Sequence, residues 1–166
     1  MNDKKHCMKS CLLSVLGVFV FLNLYGWLVH GNLLMDDYKA TASLWRTPED
    51  MKNFCGGWLA YYALLSFVVT CWFKKTRACL ACCKNGPAEA AKTCCPIKSG
   101  GLCFGMKLGL VMGMGMGCAY FYMPIPLSLG VKWFFAGLVE GLGIGAILGM
   151  LCKNAECATS CTTESK

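Results

Sequence analysis

Glycine recurs at every fourth residue through two apolar stretches, at Gly101, Gly105, Gly109, Gly113 and Gly117, and again at Gly137, Gly141, Gly145 and Gly149. In water such a glycine load weakens a helix, because each residue adds backbone entropy that folding must remove. In lipid the same spacing gives a helix a stripe without side chains, along which a second backbone approaches closely and gains dispersion contact. The pattern predicts two tightly packed membrane helices. Their connection, Met123-Pro124-Ile125-Pro126, is so short that the helices must be antiparallel neighbours, and their glycine stripes can then face each other.

The rest of the chain fits that environment. Of 166 residues, 56% are hydrophobic and 15% charged, which is too apolar for a water-soluble globule of this size. The apolar residues gather in stretches at 11–29, 56–73, 102–123 and 127–151, each near the roughly 18 to 20 residues that cross a bilayer as a helix. The expected fold is an all-α integral membrane protein, one polytopic domain over residues 1–166 with four transmembrane helices. Helices three and four form a glycine-zipper hairpin. The first stretch is too long for a signal-peptide core and lacks a clean cleavage site around Trp27 to Gly31, so it is read as an uncleaved span.

Charge sets the orientation. Residues 74–100 carry Lys74, Lys75, Arg77, Lys84, Lys92 and Lys98 against the single acid Glu89, whereas residues 30–55 balance Lys39, Arg46 and Lys52 with Asp36, Asp37, Glu49 and Asp50. Cytoplasmic loops retain Lys and Arg, so 74–100 is the inner loop, 30–55 the outer one, and both termini are cytoplasmic. The net charge of +7 is then an address label with contact to anionic lipid, and gives no reason to expect nucleic-acid binding. In the outer loop, Tyr38, Leu44 and Trp45 interleave with charges and suit an amphipathic segment on the membrane surface. Thr47-Pro48-Glu49-Asp50 supplies an N-cap hydroxyl, a proline at the first helical position and two acids, so the second helix is expected to start at about Pro48, outside the bilayer.

Three ionisable residues fall inside the spans: Glu140, Lys107 and Lys132. With helices three and four antiparallel, Glu140 lies near the midplane and Lys107 about one turn nearer the cytoplasm, within reach of a lysine side chain. Glu140 is therefore read either as a proton or substrate contact or as a partner of Lys107 that fixes packing. Lys132 lies near the outer face, where its amine can snorkel to headgroups.

Fourteen cysteines are many for this length. Cys79, Cys82, Cys83, Cys94 and Cys95 fall in the inner loop, where a reducing cytoplasm keeps them as thiols able to take Zn²⁺ or Cu⁺. Their spacing departs from a zinc ribbon, and small apolar packing residues or lipidated thiols are the competing reading. Met112 and Met116 share a helix face. With the neighbouring glycines they resemble the Met-x-x-x-Met and Gly-x-x-x-Gly patterns of the copper transporter family, which has three spans and a methionine-rich outer tail not seen here. Methionine as flexible packing beside glycine is the simpler account.

Four spans with a Cys-x-x-Cys also resemble the disulfide-forming membrane oxidoreductases, but those need paired outer cysteines, and here the outer loops hold only Cys55. The glycine-rich third helix, the Met123 to Pro126 turn and the stretch from Trp133 to Gly149 are similar to small bacterial inner-membrane proteins of unknown function. That resemblance implies the inner membrane as location and carries no catalytic residues with it. No Ser-His-Asp set, phosphate-cradling glycine loop or metalloprotease His-Glu pair is present, so no enzyme activity is expected. The leading expectation is a self-associating transport or channel-like component, or an assembly factor, with no firm cofactor. The alternative is a soft-metal protein for copper, zinc or mercury.

Overall fold

The computed structural model describes residues 2–85 and 100–152; the side chains of residues 2–7, 48 and 78–85 are outside that description. Every long element is a helix. The chain runs through α1 (Asn2–Leu28), continued by a π-helical turn (Val29–Leu33), then α2 (Met35–Ala40), a 3-10 turn (Ala42–Leu44), α3 (Pro48–Asn53) and α4 (Cys55–Asn85). After residue 100 come α5 (Gly101–Gly117), a 3-10 turn (Cys118–Phe121) and α6 (Leu127–Leu151). Four segments, Met8–Leu33, Cys55–Arg77, Gly101–Phe121 and Leu127–Leu151, are long and apolar enough to cross a membrane.

The α5–α6 hairpin is the most intimate pairing. A Cβ built on Gly137 would lie 2.7 Å from the Gly113 Cα, and one on Gly105 would lie 2.9 Å from the Gly145 Cα. Cβ atoms on Gly101, Gly109 and Gly141 would likewise strike backbone of the facing helix. Such distances leave room for hydrogen alone, so the glycines at these positions set how near the two helices come. Gly117 is looser, facing the side chain of Phe134, and Gly149 meets the Gly101 Cα at 3.1 Å. Gly115, half a turn off this line, faces nothing within 4 Å.

The other pairings use larger side chains. On α1, Gly17 faces Leu151 and Ile147 of α6, and the Phe21 ring packs where Gly143 has no side chain. Against α4, the hydroxyl of Tyr62 occupies the space that a side chain at Gly26 would need. α4 meets α5 through rings, Phe73 to Phe104 at 5.0 Å and Trp72 to Phe104 at 5.3 Å between centroids. Val18, Leu22, Val69, Phe73, Ile144 and Leu148 fill the centre.

Around this centre the outer faces remain apolar. Leu12, Leu16, Val20, Leu24 and Trp27 make one exposed stripe along α1, and Leu64, Phe67, Val68 and Trp72 do the same on α4. Soluble monomers rarely expose continuous apolar surface of this extent.

The helix expected at Pro48 begins there, with the Thr47 hydroxyl accepting from the Asp50 N–H at 3.2 Å, but it stops at Asn53 and turns at Phe54 before α4 starts. The expected amphipathic segment sets its apolar residues against the ends of the helices. Tyr38, Leu44 and Trp45 pack with Trp133, Met123 and Tyr25 over a second cluster of Val29, Leu34, Ala119, Ile125 and Leu129.

Candidate functional site

Glu140 sits in the middle of α6 and is only 8% exposed. It follows Gly137 by three residues and precedes Gly141, so on the helix it lies to one side of the glycine line that meets α5. It lies within electrostatic reach of the phenol hydroxyls of Tyr25 on α1 and Tyr62 on α4. Tyr25 is anchored beside it, because its hydroxyl donates to the carbonyl of Ala136, one turn before Glu140, at 2.7 Å. Among the described residues Glu140 makes no ion pair.

Tyr62 begins a polar line. Ser66, Thr70 and Lys74 follow at four-residue spacing, so they share a face of α4. Ser66 and Thr70 are fully buried. The Ser66 hydroxyl donates to the Tyr62 carbonyl at 2.6 Å, while Thr70 Oγ1 and Lys74 Nζ are buried without a hydrogen-bond partner among the described residues. Native interiors leave few such groups orphaned. At the end of this line the Ser14 hydroxyl lies 3.4 Å from Cys152 Sγ, and Arg77 donates to the Cys152 carbonyl at 3.2 Å, capping the C-terminus of α6.

The expected pairing of Lys107 with Glu140 does not form. Lys107 lies two residues beyond Gly105, about 200° round the helix, so a helix that turns its glycines to α6 must turn Lys107 away. It is exposed and lines a groove with Trp72, Thr76, Phe104 and Leu108. The expected snorkelling of Lys132 is also replaced by a protein partner: its Nζ lies 2.7 Å from Asp37 Oδ2. The loop between α1 and α4 brings Asp37 there because Tyr38 is fastened beside it. The Tyr38 hydroxyl accepts from Trp133 Nε1 at 2.9 Å and is 2.6 Å from His30 Nδ1. Burial pushes the Tyr38 phenol above its ordinary 10.0; the Trp133 hydrogen bond opposes this and the Asp37 charge adds to it. Trp45 closes the cluster, edge-on to Tyr38 at 5.3 Å, with its N–H donated to the Thr41 hydroxyl.

Met112 is half-buried against the central cluster and Met116 is also half-buried. Among the described residues no three His, Cys, Asp or Glu side chains gather as a metal site. Cys94 and Cys95, and the side chains of Cys79, Cys82 and Cys83, lie outside the described residues.

Sequence reasoning missed Tyr25, Tyr62, Ser66 and Thr70. The four-residue spacing of hydroxyl side chains along α4 was the available signal, masked by the high apolar content around it. No protein-family model, curated protein or solved structure matches this chain. It is a small helical protein with four helices long and apolar enough to cross a membrane.

Proposed function

We propose that this chain is an integral membrane protein whose four helices span the bilayer with both termini cytoplasmic, and that it acts as a small transport or channel-like component with Glu140 as the group that handles the proton or solute. One observation carries the reading: a carboxyl group is buried at the middle of a span, without an ionic partner among the described residues, beside two phenols. A carboxylate in hydrocarbon is costly, and one kept without a cation marks a functional site more often than a packing device. The hydroxyl line through Ser66 and Thr70 to Lys74 supplies polar groups from the carboxyl group towards the inner end.

In this reading the α5–α6 hairpin is a glycine zipper, a rigid wall against which α1 and α4 form the polar interior. Four helices leave little room for a path within one copy, so self-association completes it. The soft-metal alternative rests on the cysteines between residues 79 and 95 and gains no support from the described part of the chain.

The test is flux. The full chain is reconstituted in liposomes with a pH-sensitive dye inside, and an imposed potential should drive acidification that falls at least about tenfold with Glu140→Gln. Equal rates for wild type, Glu140→Gln and empty liposomes would overturn the proposal.

A further inference from the structure

We infer that the groove between α4 and α5 is a binding site for one anionic phospholipid of the cytoplasmic leaflet, with Lys107 holding its phosphate. This rests on the reading that α4 and α5 cross a bilayer, and not on the role of Glu140. Lys107 lies six residues into α5, about 9 Å from its first residue, so its Cα is below the headgroup region. An exposed amine at that depth must reach polar atoms, because hydrocarbon offers none.

The groove gives it a direction. Its volume is about 170 Å³ and its walls are Trp72, Thr76, Phe104, Lys107 and Leu108. Thr76 lies one turn beyond Trp72 towards the inner end of α4, so an amine sharing the groove with Thr76 is led out towards the cytoplasmic headgroups. Trp72, edge-on to Phe104, gives the indole suited to that interface, and Phe104 and Leu108 give an acyl chain an apolar bed.

Charge and hydrogen-bond polarity fix the occupant. Exposed Lys75, the neighbour of Thr76 in sequence, adds its charge to that of Lys107 at this end of α4, so the local field favours an anion. The Thr76 hydroxyl donates to the Trp72 carbonyl at 2.9 Å, which leaves its oxygen free only to accept. A headgroup with hydroxyl donors meets that oxygen, whereas choline cannot. The chemistry is therefore that of an anionic phospholipid whose headgroup carries a hydrogen-bond donor, as phosphatidylglycerol does, its phosphate on Lys107 and the donor on Thr76.

The experiment is lipid retention by the full chain, purified in mild detergent from equimolar phosphatidylglycerol and phosphatidylcholine vesicles and read by native mass spectrometry. Wild type should retain phosphatidylglycerol about fivefold over phosphatidylcholine, Lys107→Arg should keep that preference, and Lys107→Gln should lose it. Thr76→Val, which removes the accepting oxygen and leaves the amine in place, should lower the preference, and an unfolding midpoint of Lys107→Gln equal to that of wild type shows that its loss of preference is not misfolding. Equal retention by wild type and Lys107→Gln would overturn the site. So would a thermal shift in detergent produced by inorganic phosphate alone and equal to that from phosphatidylglycerol. A chain removed from membranes by alkaline carbonate would instead refute the membrane reading itself.

Discussion

Gly141 of α6 rests directly on the Gly109 backbone of α5, close enough that a Cβ on Gly141 would overlap the Gly109 Cα and N. No rotamer relieves that clash, because the obstructing atoms are backbone on both sides. Gly141→Leu and Gly113→Leu should each lower stability in detergent by about 2 to 3 kcal/mol, the cost of forcing a packed contact apart. Gly115→Leu, which points into open space, should cost under about 0.5 kcal/mol. Equal unfolding midpoints for the three variants would mean that the hairpin does not hold this contact in solution.

Glu140 and Lys107 should behave as strangers. They make no ion pair, so in a double-mutant cycle the stability changes of Glu140→Gln and Lys107→Met should add within about 0.5 kcal/mol. Rescue of a damaged Glu140→Gln variant by Lys107→Met would restore the buried pair that helix geometry here rejects.

Lys132 and Asp37 should couple instead, weakly. The pair is partly open to solvent, with side chains 49% and 23% exposed, so its coupling energy should be about 0.5 to 1 kcal/mol and shrink in high salt. A cycle of Lys132→Met and Asp37→Asn in low and high salt checks both statements, and a salt-independent coupling would contradict them.

Tyr38 should give the cluster around it an alkaline limit. Its folded pKa is raised, so the folded state holds the phenol proton more tightly than the unfolded state does. Its contribution is therefore constant below the ordinary value of 10.0 and declines as pH rises above it. Fluorescence of Trp45 and Trp133 in single-tryptophan variants should show a transition above pH 10.0 that Tyr38→Phe diminishes. An unchanged transition in Tyr38→Phe would assign it to another group.

Hydropathy was enough to find four long apolar helices, though not their ends, because that signal is local and repeats along the chain, and close glycine contacts between α5 and α6 fall at the four-residue spacing seen in the sequence. The Thr47 cap was legible for the same reason. Lys132 and Asp37 are 95 residues apart and meet only because Tyr38 bonds to His30 and Trp133, and no periodic pattern carries that information. Lys107 was misjudged because depth along the axis was considered without angle around it. Lys107, two residues beyond a glycine that meets α6, turns away from that helix and so from Glu140. The phenols of Tyr25 and Tyr62 were hidden by their ambiguity, since tyrosine near a span end is as readily an interfacial anchor as a polar neighbour.

The fastening of Tyr38 to Trp133 has a consequence for biogenesis. The loop holding Tyr38 is synthesised before α4, α5 and α6, so its partner on α6 does not yet exist when the loop leaves the ribosome. Until α6 is made, Tyr38 lacks Trp133 and Asp37 lacks Lys132. Closure of this loop is thus a late event that marks a chain whose helices are all in place. A nascent chain halted after α5 would present the same loop open to proteases, giving quality control a surface by which to tell an unfinished molecule from a finished one.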